Sequence, residues 1–155
     1  MIKRGEQAPD FELFATPDQK ISLSELADRN VVLVFYPADW SPVCSDELTI
    51  FNQAHKLFDK YDATVLGISV DSRWCHMSFA KDRNYHFPLL ADFHPKGAVS
   101  KLFDVYDEVE GESKRAIILI DKNKKINWTY LSPTAINPGV DGILEALEKL
   151  TNEKS

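Results

Sequence analysis

Val31-Val32-Leu33-Val34-Phe35-Tyr36 runs directly into Pro37-Ala38-Asp39-Trp40-Ser41-Pro42-Val43-Cys44. The first six residues are continuously apolar. That pattern fits a strand buried on both faces, as in a parallel sheet covered by helices. Pro37 closes the strand, because proline lacks the N–H that a ladder needs. Ser41 is a residue type favoured at a helix N-cap. Pro42 then takes the first helical position, where its fixed φ is already suitable. This count predicts a helix from Pro42 with Cys44 at its third position.

Outward from this junction the same alternation of elements continues. Leu48, Phe51, His55, Phe58 and Tyr61 recur at three- to four-residue spacing and predict one long helix. Thr64 to Val70 is a second buried strand, and helices are predicted from about Arg73 to Asn84 and from Gly97 to Phe103. Ala116 to Ile120 is a third buried strand. The polar turn Asp121 to Lys125 joins it to the alternating Ile126 to Tyr130, which predicts an antiparallel pair. Val140, Ile143, Leu144, Leu147 and Leu150 mark a final helix, with a frayed tail from Thr151 to Ser155. Upstream, Phe11 to Phe14 and Ile21 to Leu23 flank Thr16-Pro17-Asp18 as a short hairpin, and Ser24 to Asp28 is a helical turn. The order implies an α/β fold with a mixed central sheet flanked by helices, the element order of a thioredoxin-like sandwich. No repeat or linker divides residues 1–155, so one domain is expected.

Bulk properties narrow the function. The chain has 155 residues, 44% hydrophobic and 27% charged, with a formal net charge of -6. An acidic chain without a Lys/Arg cluster is a poor ligand for nucleic acid or an anionic membrane. The apolar runs are strand-sized, far short of a bilayer span. No apolar segment follows Lys3-Arg4, so no secretory signal is read and a cytoplasmic location is expected. Two cysteines 31 positions apart are not a disulfide framework, and with no C-x-x-C and no paired histidines no metal site or cofactor is expected.

Cys44 and Cys75 are therefore either core residues or reactive thiols. A sulfur in the first turn of a helix sits near unpaired N–H groups and the positive end of the helix dipole, which favour its thiolate. The junction also lies beyond the C-terminal end of a parallel strand, where α/β sheets place ligands. A buried, inert Cys44 remains the plain alternative.

Pro37, Ser41 and Cys44 fall at the spacing of the peroxiredoxin active-site pattern: proline, three residues, Thr or Ser, two residues, cysteine. The flanks Phe35-Tyr36-Pro37 and Cys44-Ser45-Asp46-Glu47-Leu48 resemble that family as well. So do Gly67 to Ser72, His76 and Phe79 in the next helix, Phe87-Pro88-Leu89-Leu90-Ala91-Asp92, and Arg115 before the third strand. The similarity runs from Gly5-Glu6-Gln7-Ala8-Pro9-Asp10-Phe11 to the last helix. It looks like the compact bacterial group that includes alkyl hydroperoxide reductase E and bacterioferritin-comigratory protein. The resemblance implies a thiol peroxidase for hydrogen peroxide and organic hydroperoxides. In it Cys44 attacks the peroxide, Arg115 and Ser41 hold the peroxide oxygens, and Pro37 shields the sulfur. Glu47 is either a first-turn acid or an orienting partner for an arginine.

The resemblance leaves the resolving thiol open. Positions where related proteins carry one hold Thr49 and Ala80. Cys75 lies elsewhere, beside His76. A one-cysteine cycle is expected, with thioredoxin, glutaredoxin or a low-molecular-weight thiol as reductant. An atypical two-cysteine cycle through Cys75, and a non-enzymatic redox sensor or chaperone, are the alternatives; a disulfide oxidoreductase would need the C-x-x-C that Glu47 interrupts. The resemblance also implies a homodimer, with Trp40 and Trp74 as contact residues or core.

Overall fold

The computed structural model describes residues 1–153. Nine strands and five helices follow in the order β1 (Glu12–Phe14), β2 (Lys20–Ser22), β3 (Asn30–Phe35), α1 (Pro42–Gln53), α2 (His55–Lys60), β4 (Ala63–Ser69), α3 (Arg73–Arg83), β5 (Leu89–Ala91), α4 (Ala98–Leu102), β6 (Tyr106–Asp107), β7 (Glu112–Ser113), β8 (Ala116–Ile120), β9 (Ile126–Leu131) and α5 (Asp141–Glu153). A 3-10 turn, Leu23–Leu26, follows β2. Seven strands form one mixed sheet in the order β2-β1-β5-β4-β3-β8-β9. The pair β3–β4 is parallel, with Val32 opposite Val65, and β3–β8 is antiparallel, with Leu33 opposite Ile118.

β3 divides the core because successive side chains point to opposite faces. Val31, Leu33 and Phe35 pack with Leu66, Ile68, Ile118 and α4's Val99. Val32, Val34 and Tyr36 face Leu48 and Phe51 of α1, Phe79 of α3 and Ile143 of α5. Every residue of β3 is buried, as the continuous apolar run requires. Helices α1 and α3 thus share one face of the sheet, and the segment before α1 runs past the start of α3.

Two sequence expectations are corrected, and one strand that was not read is added. The predicted single helix from Leu48 to Tyr61 is broken at Ala54, whose ψ of 8° turns the chain between α1 and α2; the apolar spacing carries across the break because both pieces cover one face. β5 pairs parallel with β4, although Leu89–Ala91 is too short for periodicity to reveal it. At the C-terminus, Thr151 to Glu153 continue α5, and the remainder of the expected frayed tail lies outside the described residues.

Candidate active site

Ser41 is the N-cap of α1 and Pro42 its first residue, which puts Cys44 in the first turn. Ser41 has an extended backbone (φ -60°, ψ 136°), and its carbonyl accepts from Ser45 N at 2.8 Å. Its hydroxyl makes no capping bond, so the expected side-chain cap is absent. Trp40, just before it, adopts a left-handed φ of 69°. A non-glycine residue pays for that conformation and keeps it only where its surroundings hold it. Here the indole packs on Phe79 with ring centroids 5.1 Å apart, and Arg83 lies over its ring.

Arg115, immediately before β8, reaches the sulfur. Its Nη2 donates to Cys44 Sγ at 3.3 Å, its Nη1 to Glu47 Oε1 at 2.8 Å and its Nε to the Thr134 carbonyl at 2.9 Å. The planar guanidinium is thus fixed by three acceptors from two parts of the chain. Cys44 and Glu47 have no exposed surface, and Arg115 is 1% exposed. Burial opposes the charge of Arg115, while its bonds to Cys44 and Glu47 more than restore it. Burial drives the Glu47 carboxyl up to about 7, only partly offset by Arg115. Pro37, also buried, follows Tyr36 at the C-terminal end of β3. Cys44, Glu47 and Arg115 are therefore brought into one contact set, with Ser41 three residues ahead of the sulfur and Pro37 in the same loop.

Cys75 belongs to a different cluster. Asp39, in the loop ahead of α1, accepts from Tyr36 Oη at 2.6 Å and meets His76 Nδ1 at 2.7 Å. His76 Nε2 lies 3.0 Å from the Leu90 carbonyl. Both ring nitrogens of His76 are thus engaged, one by the Asp39 carboxyl and one by a backbone carbonyl. Asp39 N donates to Asp71 Oδ2, which also accepts from Ser69 Oγ. The Cys75 thiol faces these acids, and burial together with the Asp39 charge pushes it up to about 12. Cys44 and Cys75 are both free. Asp39, Asp71 and Cys75 bring three ligand atoms within 4.8 Å of one another. Both Asp39 oxygens already serve Tyr36 and His76, so the group fits a hydrogen-bond network better than a cation.

The Asp39–His76 tie was not read from the sequence. A signal existed: His76 is three residues from Phe79, on the same helix face, and that face is buried. The Thr134 carbonyl carried no sequence signal, because a backbone acceptor has none.

Comparison with known proteins agrees with this architecture. The model of the AhpC/TSA family matches residues 4–129. A chloroplast 2-Cys peroxiredoxin of Spinacia oleracea is 34% identical over 94% of this chain and 58% of its own length. Peroxiredoxin 2 of Thermoplasma acidophilum is 29% identical over 94% of this chain and 75% of its own. The chain thus spans little more than half the length of the chloroplast relative. Among solved structures, peroxidoxin BcpB from Mycobacterium tuberculosis superposes with a TM-score of 0.88 at 31% identity, covering 97% of this chain and 99% of that one. Reduced 2-Cys peroxiredoxin from Plasmodium vivax gives 0.89 at 28% identity, covering 97% and 83%.

Proposed function

The chain belongs to the AhpC/TSA family, and from that premise we propose that it is a thiol-dependent peroxidase in which Cys44 attacks the peroxide. The observation that carries this reading is the 3.3 Å contact from Arg115 Nη2 to Cys44 Sγ at the first turn of α1. A fixed, permanently charged donor beside a sulfur suits an anionic nucleophile and the charge that develops as an O–O bond breaks. The thiolate attacks the terminal oxygen of hydrogen peroxide or an organic hydroperoxide. A sulfenic acid forms and water or an alcohol leaves.

Three further roles complete the reading. Ser41, whose hydroxyl is not used in capping, holds a peroxide oxygen. The Cys44 backbone N–H is a second donor to the developing charge. Pro37 narrows the approach to the sulfur and keeps water from it.

A one-cysteine cycle is the reading for regeneration. An external thiol attacks the sulfenic acid and forms a mixed disulfide, which a second thiol releases. Thioredoxin, glutaredoxin or a low-molecular-weight thiol fills that part. Support comes from Cys75: a thiol pushed up to about 12 by burial and by Asp39 is almost wholly protonated near neutrality and a poor internal nucleophile. The chain acts as one domain in a homodimer.

The test is consumption of hydrogen peroxide by reduced protein, with insulin reduction as the control for disulfide exchange. Peroxide-dependent loss of one thiol per chain supports the reading. Insulin turnover without that loss overturns it.

A further inference from the structure

The guanidinium of Arg115 faces two acids at once, Glu47 at 2.8 Å and Cys44 at 3.3 Å. Its third bond goes to the neutral Thr134 carbonyl. All three side chains are sealed from solvent. Glu47 Oε2 is buried and has no hydrogen-bond partner. The titratable group that faces Glu47 is Arg115 from the strand side, and Cys44 on Glu47's own helix shares that guanidinium.

One cation therefore serves two acids in a dry interior. If both were ionised, the cluster would hold an uncompensated negative charge, which is costly in a dry interior. If one acid is ionised, the cluster is neutral. Building on the peroxidase reading above, we infer that Glu47 and Cys44 share a single negative charge on Arg115: Glu47 holds the proton while the sulfur is a thiolate and gives it up when the sulfur is neutralised. The upward displacement of the Glu47 carboxyl by burial agrees with a proton resident there.

The proton also balances the peroxide step. Glu47 carboxylate takes the proton of the Cys44 thiol. The thiolate gives two electrons to the terminal oxygen, the S–O bond forms, the O–O bond breaks and an alkoxide leaves. The alkoxide needs one proton, and the Glu47 carboxyl supplies it, directly or through a water. The sulfur is then a neutral sulfenic acid, and Arg115 pairs with Glu47 carboxylate alone. In sum, thiol and hydroperoxide become sulfenic acid and alcohol, with no proton exchanged with bulk solvent. Glu47 thus exchanges its proton with the reacting atoms, while the shared guanidinium of Arg115 couples its charge to that of the sulfur.

The experiment counts protons without using peroxide. Reduced Cys75→Ser protein in weak buffer at about pH 8, above the value of about 7 that burial and Arg115 give Glu47, is alkylated at Cys44 with iodoacetamide. Thiolate is followed by its ultraviolet absorbance. A lone thiolate loses iodide to solution and releases no proton. We expect about one proton per chain, the one held by Glu47, and release near zero once Glu47→Gln is added. No release from the parent protein overturns the inference, because Glu47 would then be ionised beside the thiolate. Equal release with and without Glu47→Gln also overturns it, because the proton would belong to Cys44. An infrared difference spectrum of the parent protein needs no change at Glu47. The protonated-carboxyl stretch should vanish on alkylation, and its persistence or absence throughout overturns the inference. Failure here in a chain that still loses its Cys44 thiol to peroxide leaves the peroxidase reading standing. Proton release as expected in a chain inert to peroxide removes that reading instead.

Discussion

His76 Nδ1 lies 2.7 Å from Asp39 Oδ2 with both side chains out of solvent, so the loop that precedes Cys44 is tied to helix α3 by a buried hydrogen bond. Asp39 sits five residues before the sulfur and directly before Trp40, whose left-handed backbone shapes the approach to α1. The tie explains how a strained loop keeps one conformation. Tyr36 and Asp71 hold Asp39 from two further sides.

Removing one partner of that pair should be costly. Asp39→Ala leaves the buried Tyr36 hydroxyl and His76 Nδ1 without their shared partner, a loss of about 1–3 kcal/mol for each buried group left unsatisfied. Urea denaturation of the variant should show it as a lower midpoint at unchanged slope. A midpoint within error of the parent would show that Tyr36 and His76 find other partners at little cost.

Glu47 gives stability a pH dependence whose sign is fixed. Its folded value, about 7, lies above its ordinary 4.5. The fold therefore favours the protonated carboxyl. Its contribution is fully present below about 4.5 and is lost as pH rises through about 7, roughly 3 kcal/mol over that window. Glu47→Gln cannot titrate, so the stability difference between parent and variant should shift in favour of the variant across this range and level off above it. Parallel stability curves would contradict the assignment.

Much of this arrangement was legible in the sequence, and the reason differs by element. The continuous apolar run Val31 to Tyr36 could only be buried on both faces, and β3 lies inside the sheet between β4 and β8. Ser41 and Pro42 located the start of α1 and hence the place of Cys44. Arg115 entered through family resemblance, since nothing local to β8 says where a guanidinium points. The Glu47 contact was left open because a helix acid at i+3 from a cysteine faces solvent as often as core. The break at Ala54 and the short β5 escaped because periodicity reports which face is apolar and not whether the backbone is continuous. The Asp39–His76 tie joins residues 37 positions apart, a pairing that no local pattern encodes.

Cys75 is expected to be dispensable for the peroxide step. Cys75→Ser keeps a hydroxyl donor facing Asp39 and removes a thiol already pushed up to about 12. The rate of peroxide consumption with an external thiol should stay within about twofold of the parent, a surface-sized change. A Cys44–Cys75 disulfide in oxidised protein, detected by mass spectrometry, would replace the one-cysteine cycle with an internal one.

Arg115→Lys tests geometry as opposed to charge. An ammonium on a flexible stem cannot hold Cys44, Glu47 and the Thr134 carbonyl in one plane. Loss of one preorganised donor of this kind costs about 10²–10³ in rate. Stopped-flow reaction with peroxide should show a fall of that order, and an unchanged rate would mean that a point charge is enough.

The most direct test follows the sulfur itself. Reduced protein is mixed with one equivalent of hydrogen peroxide, trapped with a sulfenic-acid reagent and mapped by peptide mass. The trapped group should sit on Cys44 in every chain that has reacted, and Cys44→Ser should neither trap the reagent nor consume peroxide. Peroxide turnover that survives Cys44→Ser, or a trapped group on Cys75 with Cys44 untouched, would contradict the account.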